Sequence, residues 1–525
     1  MLFRWTGSLT LAAVTSLTLL LIGRQTGFAS IYSLDDPYIH LAVAEEILRG
    51  HYGVNPDEAA SASSSILYPI LLTPLLVAGF GQFGPLIIAG AASFCTVLLF
   101  GKFIERTFGD HAPGALMIVT GVLSVLGLNL VGLAFTGMEH SLHVLLTLLA
   151  LYGLLLFKED GQVRPWWILT VVVAPFVRFE GMSTVLLVTL FLLCQRRIVP
   201  AITCVATVGA GMAIWWLVMN RLELPFLPSS VLTKLDLPTP TTGGISVPFM
   251  ALTRNIESNL SSRAGLMLFA LAATLFLRAT PESFIRSLQN TGPQYIGPSV
   301  ALFGAGLIVA HLVAGKEGWF LRYEAYVLIT GVVCLVSAFH PAITTGMGWW
   351  QGTIIASSVL VLLQPYTLAT LRTPTAAANV FAQHYQMHRL AADILRVPVG
   401  VNDVGWVSFR NDNYVLDFWG LGSEVARKAR MAASATGEND GAWMNNLARG
   451  RGVQVAMIYE AYLPAPADWI KVAELHLNMR IITPAHGVVS IFVLDPALLA
   501  SVRDGLRRLQ GTLPPEASLR ILAVR

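Results

Sequence analysis

Charged residues are scarce in this chain of 525 residues. Asp, Glu, Lys and Arg make up 12% of the sequence, whereas about 25% is usual in a water-soluble domain. Hydrophobic residues make up 54%, and this composition favours a chain embedded in a bilayer. The formal net charge is only +3, which is too small to indicate a nucleic-acid partner.

Cysteine is also scarce. The four thiols lie in apolar runs, at Cys95, Cys194, Cys204 and Cys334. Their spacing matches neither a disulfide framework nor a metal site, so we interpret them as buried apolar groups. Several histidines precede or begin predicted helices, but they lack a matched set of further ligands, and zinc is not expected.

The charges are unevenly distributed along the chain. Of the 34 Lys and Arg and the 31 Asp and Glu residues, 28 lie within 373–525. We therefore expect a membrane domain over 1–372, with a first external loop over 27–84. A water-soluble domain is expected over 373–525.

Apolar runs recur along the first 372 residues, and a helix needs about 20 such residues to span a bilayer. The sequence predicts eleven spanning helices, near 5–26, 85–105, 112–132, 138–157, 163–179, 181–196, 199–219, 263–279, 298–314, 323–339 and 346–371. The run 66–80 is short and contains Pro69 and Pro74, so we expect a surface or half-inserted helix there.

Basic residues in the short loops give the predicted orientation, because such loops stay in the cytoplasm. With eleven spans, the loops that carry Lys102, Lys158, Arg196 and Arg286 are all cytoplasmic. The C-terminal domain then lies outside the cytoplasm, in a multi-pass protein of the inner or plasma membrane. Most of the unusual polar segments fall on that external face, at 27–84, 137–139, 178–180, 220–262 and 316–324.

The C-terminal domain has the pattern of an α/β fold. Helical periodicity predicts helices over 376–396 and 498–509. Short apolar runs predict strands at 397–401, 414–418, 453–459 and 488–494. Because Pro398 has no backbone N–H group, the first strand is expected at an edge of the sheet.

Two adjacent carboxylates follow the first predicted span, in Ser33-Leu34-Asp35-Asp36-Pro37-Tyr38-Ile39-His40. Such a pair can accept a proton from an attacking hydroxyl group or hold Mg²⁺ or Mn²⁺ beside a phosphate. The alternative is a solvated helix start, since Asp before Pro is common there. The position at the membrane edge favours the first interpretation, with Asp35 and Asp36 as catalytic candidates and Tyr38 and His40 as substrate contacts.

Three more ionisable residues, Glu139, Arg178 and Glu180, stand at the ends of apolar helices. A charge near membrane depth is costly, so it usually has a partner or a function. Arg178 and Glu180 can serve as paired structural residues. In the functional alternative, Arg178 binds a phosphate, and Glu139 and Glu180 contact substrate.

Lys234 and Arg322 are basic residues near predicted external helix ends. A lipid phosphate lies at the headgroup level, where Arg can bind it with two nitrogen atoms. Attraction to anionic headgroups in general is the alternative. In the C-terminal domain, Asp403 and Asp417 are expected to shape turns, with acceptor binding as the alternative role.

Taken in order, these motifs resemble the GT-C superfamily of polytopic glycosyltransferases, and most closely its arabinofuranosyltransferase-like branch. The resemblance covers nearly the whole chain. It rests on Asp35-Asp36, Gly137-Met138-Glu139, Arg178-Phe179-Glu180-Gly181, Pro228-Ser229-Ser230 with Lys234, and Asn402-Asp403-Val404-Gly405 with Asp417-Phe418-Trp419-Gly420-Leu421. Ser229 and Ser230 stand where the family has an Asn-Thr pair, which leaves the identity of the sugar open.

The resemblance implies a glycosyltransferase that moves a sugar from a polyprenyl-phosphate donor to an extracytoplasmic glycan or lipid-linked acceptor. It implies Asp35 or Asp36 as the general base on the acceptor hydroxyl group. It also implies cationic ligands for the donor phosphate among Lys234, Arg322 and Arg178, with a divalent metal ion as an alternative source of positive charge.

Two other classes of protein fit the composition. A transporter or flippase for lipid-linked sugars would also be polytopic, but transporters tend to show inverted repeats and charges near the midplane. No internal repeat of 20–50 residues is visible here. A non-catalytic assembly protein for envelope polysaccharide would have no need for an intact Asp-Asp pair.

Overall fold

The computed structural model describes residues 1–108, 114–235, 246–278, 281–344, 349–438 and 440–523. Helices account for most of the first 395 residues, and a six-stranded sheet with flanking helices follows. A largely helical, membrane-type part and a small C-terminal sheet region are therefore present, as the composition predicted.

The helices of the first part follow the predicted apolar runs. They are α1 (Leu2–Thr26), α2 (Asp36–Leu48), α3 (Tyr68–Val77), α4 (Gly84–Phe108), α5 (Gly114–Gly127), α6 (Leu130–Phe135), α7 (His140–Asp160), α8 (Pro165–Val177), α9 (Gly181–Cys194), α10 (Ile198–Arg221), α11 (Ser229–Leu235), α12 (Ser246–Ser261), α13 (Arg263–Arg278), α14 (Pro281–Gln289), α15 (Ile296–Ala314), α16 (Ala325–Thr344) and α17 (Trp349–Val380). Every predicted span overlaps at least one of them.

Six helices in the described part of the chain are long and apolar enough to cross a membrane. The count is seven if α12 and α13, which meet at 96°, are taken together as one broken span. Helices α3, α8 and α9 and the run Ala325–Phe339 are apolar but shorter. With only 10 residues, α3 is about 15 Å long, half the thickness of a bilayer core.

A continuous helical rod joins the two parts. After α17 the chain passes through a π-helical turn at Phe381–Tyr385, then α18 (Gln386–His388), then a second π-helical segment at Arg389–Leu395. The boundary predicted at residue 373 thus falls within a helix, not within a linker. π-Helical turns are rare and often occur at functional sites.

The C-terminal sheet consists of β1 (Val399–Val401), β2 (Val415–Asp417), β3 (Val455–Ile458), β4 (Ile470–Leu477), β5 (Val488–Val493) and β6 (Ala517–Ile521), in the order β2-β1-β3-β5-β4-β6. Strand β1 is parallel to β2 and β3, and the other pairs are antiparallel. Its helices are α19 (Gly405–Ser408), α20 (Glu424–Thr436), α21 (Ala442–Gly450) and α22 (Leu499–Gln510).

The predicted edge position of the first strand is wrong. Strand β1 lies between β2 and β3, because it begins at Val399, one residue after Pro398. The carbonyl group of Pro398 still accepts a bond from the Gln454 N–H group at 3.0 Å. The position that lacks an N–H group therefore lies outside the hydrogen-bonded part of strand β1.

Helices α1 and α5 approach closely through small residues. A Cβ atom added at Gly121 would lie 2.3 Å from Thr6 Oγ1 and 3.1 Å from both Gly7 N and Phe3 O. Small residues permit such backbone contact between helices in a bilayer, where the hydrophobic effect gives no drive to associate.

We expect Gly121→Ala to destabilise the protein by about 1–3 kcal/mol, the usual cost of overpacking. The measurement is thermal unfolding of the purified full chain in detergent. Gly209→Ala in α10 is the matched control, since a Cβ atom there meets nothing within 4 Å and alanine favours helix. Equal melting temperatures for the two variants would show that α1 and α5 are not packed in this way.

Candidate functional site

A cavity of about 640 Å³ lies where the first external loop, the segment 316–324 and the C-terminal domain meet. This volume falls within the range of small-molecule sites, roughly 300–1,000 Å³. Polar side chains from both parts of the chain line it, including Asp35, Asp36, His40, Ser64, Ser230, Thr233, Lys316, Glu317, Arg322, His384, Asn402 and Asp403. Aromatic rings complete the wall, at Trp319, Tyr323, Trp419, Tyr459 and Tyr462.

Asp35 precedes α2, but its carboxylate does not cap that helix. Its Oδ2 atom accepts the N–H group of Gly405, and its Oδ1 atom accepts the N–H group of Trp406, both at 2.8 Å. Burial raises the pKa of Asp35 to about 6, while the two N–H donors stabilise its charged form. Asp35 therefore joins the first external loop to the C-terminal domain.

Asp36 begins α2 and is paired with Arg322. Its Oδ2 atom accepts from Nη2 of Arg322, which also donates to the Tyr323 hydroxyl group at 3.0 Å. The Asp36 side chain is 29% exposed, whereas the Arg322 side chain is 1% exposed. The Asp36 carboxylate is therefore accessible from the cavity, whereas the Arg322 guanidinium group is deeply buried.

The guanidinium group of Arg322 has unused donors. Its Nε and Nη1 atoms are buried and have no hydrogen-bond partner among the described residues. A buried charged donor without an acceptor is costly, and native structures rarely keep one. An anionic ligand in the cavity would supply the acceptors, and phosphate matches the geometry of the guanidinium group.

A second charged pair, His384 and Asp403, lines the same cavity. His384 Nε2 lies 3.0 Å from Asp403 Oδ2. Burial lowers the pKa of His384, but the negative charges of Asp35 and Asp403 outweigh burial and raise the pKa above its ordinary value. The ring is thus disposed to carry a positive charge between two carboxylates.

A buried ion-pair network lies beside the cavity and is centred on Glu139. Its Oε1 atom accepts from Ser64 Oγ at 2.8 Å and from Arg178 Nη1 at 2.7 Å. His40 Nε2 lies 3.3 Å from Glu139 Oε2. Arg178 also donates to both carboxylate oxygens of Glu180, at 2.6 and 3.1 Å. These contacts link α2, α7 and the ends of α8 and α9.

The predicted site residues divide into two groups. Asp35, Asp36, His40, Arg322 and Asp403 line the cavity, but Tyr38, Glu139, Arg178 and Glu180 are absent from its wall. Tyr38 is buried against the ring of Trp406, with ring centres 4.0 Å apart. The side chain of Lys234 lies outside the described part of the chain, although Ser230 and Thr233 of the same helix line the cavity.

The phosphate role predicted for Arg178 does not fit this geometry. Its guanidinium group is saturated by Glu139 and Glu180, and it contributes nothing to the cavity wall. The structural alternative, a paired charge that holds helix ends together, describes it better. Asp417 likewise shapes a turn, as its carboxylate accepts the N–H groups of Trp419, Leu421 and Gly422.

Several cavity residues escaped the sequence analysis, among them Ser64, Trp319, His384 and Tyr459. His384 lies in a segment whose periodicity predicts an ordinary helix. Only its contact with Asp403 in the structure identifies it as a residue of the site. Trp319 lies in the segment between two apolar helices, where three consecutive residues other than glycine have left-handed backbones, with φ of 45°, 66° and 58° for Trp319, Phe320 and Leu321. A sequence gives no signal for such a conformation.

The carboxylates of Asp35 and Asp36 have partners within the protein. Both oxygens of Asp35 accept N–H groups, and Asp36 is paired with a guanidinium group. A carboxylate can accept hydrogen bonds and coordinate a metal ion at the same time, so the divalent metal ion stays a prediction. Within the described residues, no group of three His, Cys, Asp or Glu side chains is placed to hold a metal. We assign no step to Mg²⁺ or Mn²⁺.

Comparison with known proteins gives three findings. A family model described as a domain of unknown function (DUF8728) matches residues 378–492. No curated protein matches the sequence. Several solved structures are similar at low identity, and two of them are sugar-transferring enzymes by name.

The first is the arabinofuranosyltransferase AftD from Mycobacteria, at 14% identity and a TM-score of 0.42, over 92% of this chain and 41% of that chain. The second is the archaeal oligosaccharyltransferase AglB from Archaeoglobus fulgidus, in complex with an inhibitory peptide and a dolichol-phosphate. It is similar at 10% identity and a TM-score of 0.46, over 93% of this chain and 74% of that chain. The chain thus spans less than half the length of AftD. Similarity of this degree assigns no residue and no activity.

We expect Asp35→Asn to loosen the contact between the first external loop and the C-terminal domain. One of the two N–H groups would then face an amide donor, and hydrogen bonds to a charged group are worth about 1.5–3 kcal/mol. The measurement is hydrogen exchange of the full chain in detergent, with faster exchange expected at Gly405 and Trp406. Glu45→Gln is the control, since Glu45 accepts the Arg410 N–H group at an exposed position. Unchanged exchange at Gly405 and Trp406 would refute the contact.

Proposed function

We propose that this chain is a GT-C-type glycosyltransferase that moves a sugar from a polyprenyl-phosphate donor to an extracytoplasmic glycan or lipid-linked acceptor. One observation carries the proposal: a buried Arg322 with unused donors lies beside the accessible carboxylate of Asp36, in a cavity large enough for a sugar. Transfer from a phosphate needs a cation for the leaving group and a base for the nucleophile, at adjacent positions.

The finer features of the fold belong to the same proposal. They are the eleven spans, a membrane domain over 1–372 and a C-terminal domain over 373–525 outside the cytoplasm, in the inner or plasma membrane. In support, segments predicted to share the external face do meet, as Asp36 contacts Arg322 and Ser64 contacts Glu139.

Arg322 would bind the phosphate of the donor. When the bond between the anomeric carbon and the phosphate oxygen breaks, its electron pair stays on that oxygen, and a singly charged diester becomes a monoester with more negative charge. A guanidinium group that contacts these oxygens stabilises this change. We also propose Lys234 as a second ligand of the donor phosphate, because Ser230 and Thr233 of the same helix, α11, line the cavity.

Asp36 would act as the general base. A phosphate binds a guanidinium group through two neighbouring nitrogen atoms, and Nη2, the nitrogen that Asp36 holds, belongs to either such pair. Donor binding therefore releases Asp36 from Arg322 at the moment when a base is required. Asp36 then takes the proton of the acceptor hydroxyl group while the hydroxyl oxygen bonds to the anomeric carbon. Asp35 is a positioning residue, since both of its oxygens are engaged by Gly405 and Trp406. His40 and Asp403 are the proposed contacts to sugar or acceptor hydroxyl groups.

The direct test is incubation of the purified full chain with a panel of radiolabelled polyprenyl-phosphate sugars and membrane acceptors. Label should move to an acceptor and leave a polyprenyl phosphate. A flippase for lipid-linked sugars would instead move intact donor across vesicle membranes, and an assembly protein would do neither.

We expect Asp36→Asn and Arg322→Gln to fail in different ways. Asp36→Asn should lower the transfer rate about 10²–10⁴-fold, the usual contribution of a positioned base. It should bind donor at least as tightly as wild type, because Arg322 has lost its competing partner. Arg322→Gln should weaken donor binding itself. Rates and donor affinities are measured together, with Arg24→Gln, an exposed charge at the end of α1, as the control. Weaker donor binding by Asp36→Asn, or full activity in either variant, would contradict the mechanism.

The orientation gives a separate expectation. In a background without native cysteines, a membrane-impermeant thiol reagent should label Ser501→Cys in intact cells. Arg197→Cys should be labelled only after permeabilisation, because its loop is basic and short. Both positions are exposed. Labelling in the reverse order would place the cavity on the cytoplasmic side and exclude an extracytoplasmic acceptor.

A further inference from the structure

A second cavity of about 510 Å³ borders the segment 316–324. Phe320 and Leu321 line it, while their neighbours Trp319 and Arg322 line the first cavity. The segment is therefore a common wall. The rest of the second cavity comes from the start of α13, the middle of α17 and the C-terminal domain. Most of it is apolar: Ala264, Met267, Pro365, Leu368, Ala369 and Ile482.

Two arginines, Arg263 and Arg372, stand in this apolar wall. Both are exposed, and neither has a hydrogen bond or an ion pair within the described residues. Arg263 begins α13. Two unpaired guanidinium groups that share one cavity attract an anion, and phosphate is the anion that their planar donors fit best.

The helices that line this cavity also carry exposed apolar side chains. Leu266 and Phe269 of α13 are 53% and 55% exposed, and Leu371 of α17 is 68% exposed. In a helix of a membrane-type domain, such exposed side chains fit contact with lipid chains. A water-soluble glycan would gain nothing from such a wall, whereas a lipid chain would.

We propose that the second cavity binds the phosphate headgroup of a lipid. Arg263 and Arg372 contact the phosphate, and the first part of the acyl or prenyl chain lies along Met267, Phe320 and Leu368. A bilayer phospholipid and a polyprenyl phosphate share this chemistry, and either can supply the ligand. This site is separate from the one that holds the donor phosphate at Arg322.

The common wall couples the two cavities. Its first end is tied to α13, because Glu317 accepts from Ser262, the residue before Arg263. Its second end is tied to α17, since Glu324 lies within hydrogen-bond distance of Tyr366 Oη at 3.4 Å, and Tyr366 lines the second cavity. Glu324 also accepts the Gly318 N–H group at 3.0 Å. A lipid in the second cavity thus contacts the segment that places Arg322 in the first.

Native mass spectrometry of the purified full chain in detergent tests the site without any sugar transfer, so its outcome is independent of the proposed enzymatic function. The probes are phosphatidylglycerol, polyprenyl phosphate and, as a lipid without phosphate, diacylglycerol. The site variant is Arg263→Gln/Arg372→Gln. The matched control is Arg24→Gln/Arg221→Gln, which removes two exposed arginines from helix ends that line neither cavity.

Wild type and the control should each retain one phosphatidylglycerol, and the site variant should bind it at least about tenfold more weakly, since each basic residue near a membrane surface contributes roughly fivefold. Displacement of bound phosphatidylglycerol by polyprenyl phosphate identifies the source, because the tighter ligand of this site displaces the other. Equal retention by the site and control variants, or diacylglycerol bound as tightly as phosphatidylglycerol, would overturn the proposal.

Discussion

The carboxylate of Asp35 holds together two parts of the chain that are 370 residues apart, because it accepts the N–H groups of Gly405 and Trp406. Neither part forms the cavity alone. The first external loop contributes Asp36, and the C-terminal domain contributes Asp403 and its neighbours. Burying a carboxylate opposes this arrangement and raises its pKa, while two backbone donors stabilise the charged form. No side chain fits at residue 405, where a Cβ atom would lie 2.2 Å from the Asp35 carbonyl oxygen.

Two buried arginines, Arg178 and Arg322, have opposite surroundings. Arg178 is surrounded by acceptors from Glu139 and Glu180, so its charge is satisfied within the protein. Arg322 has one carboxylate partner and two nitrogen atoms without an acceptor in the described residues. A saturated ion pair stabilises helix ends and offers nothing to a ligand, whereas an unsaturated one is completed by an anion. This contrast, and not burial or membrane depth, separates the structural charge from the one assigned to the donor phosphate.

Residues with local signals were predicted well. The spans predicted from the lengths of the apolar runs each overlap a helix of the structure. The Asp-Asp pair beside the first span lines the cavity. Roles that depend on a distant partner were not predictable. Arg178 and Arg322 look alike in sequence, since each stands at an apolar helix end, and only their partners distinguish them. His384 has no local signal, and strands β4 and β6 are polar enough to resemble loops. The edge position predicted from Pro398 was wrong because strand β1 begins one residue after the proline.

The central claim is that a donor phosphate takes the place of Asp36 on Arg322. A cryo-electron microscopy structure of the full chain with bound polyprenyl phosphate tests it most directly. The account predicts phosphate oxygens within hydrogen-bond distance of Arg322 Nη2, in the place of Asp36, and of Nε or Nη1. It also predicts that the Asp36 carboxylate is released from Arg322 and that the Asp35 contacts to Gly405 and Trp406 are unchanged. A phosphate bound elsewhere, with the pair of Asp36 and Arg322 intact, would contradict it.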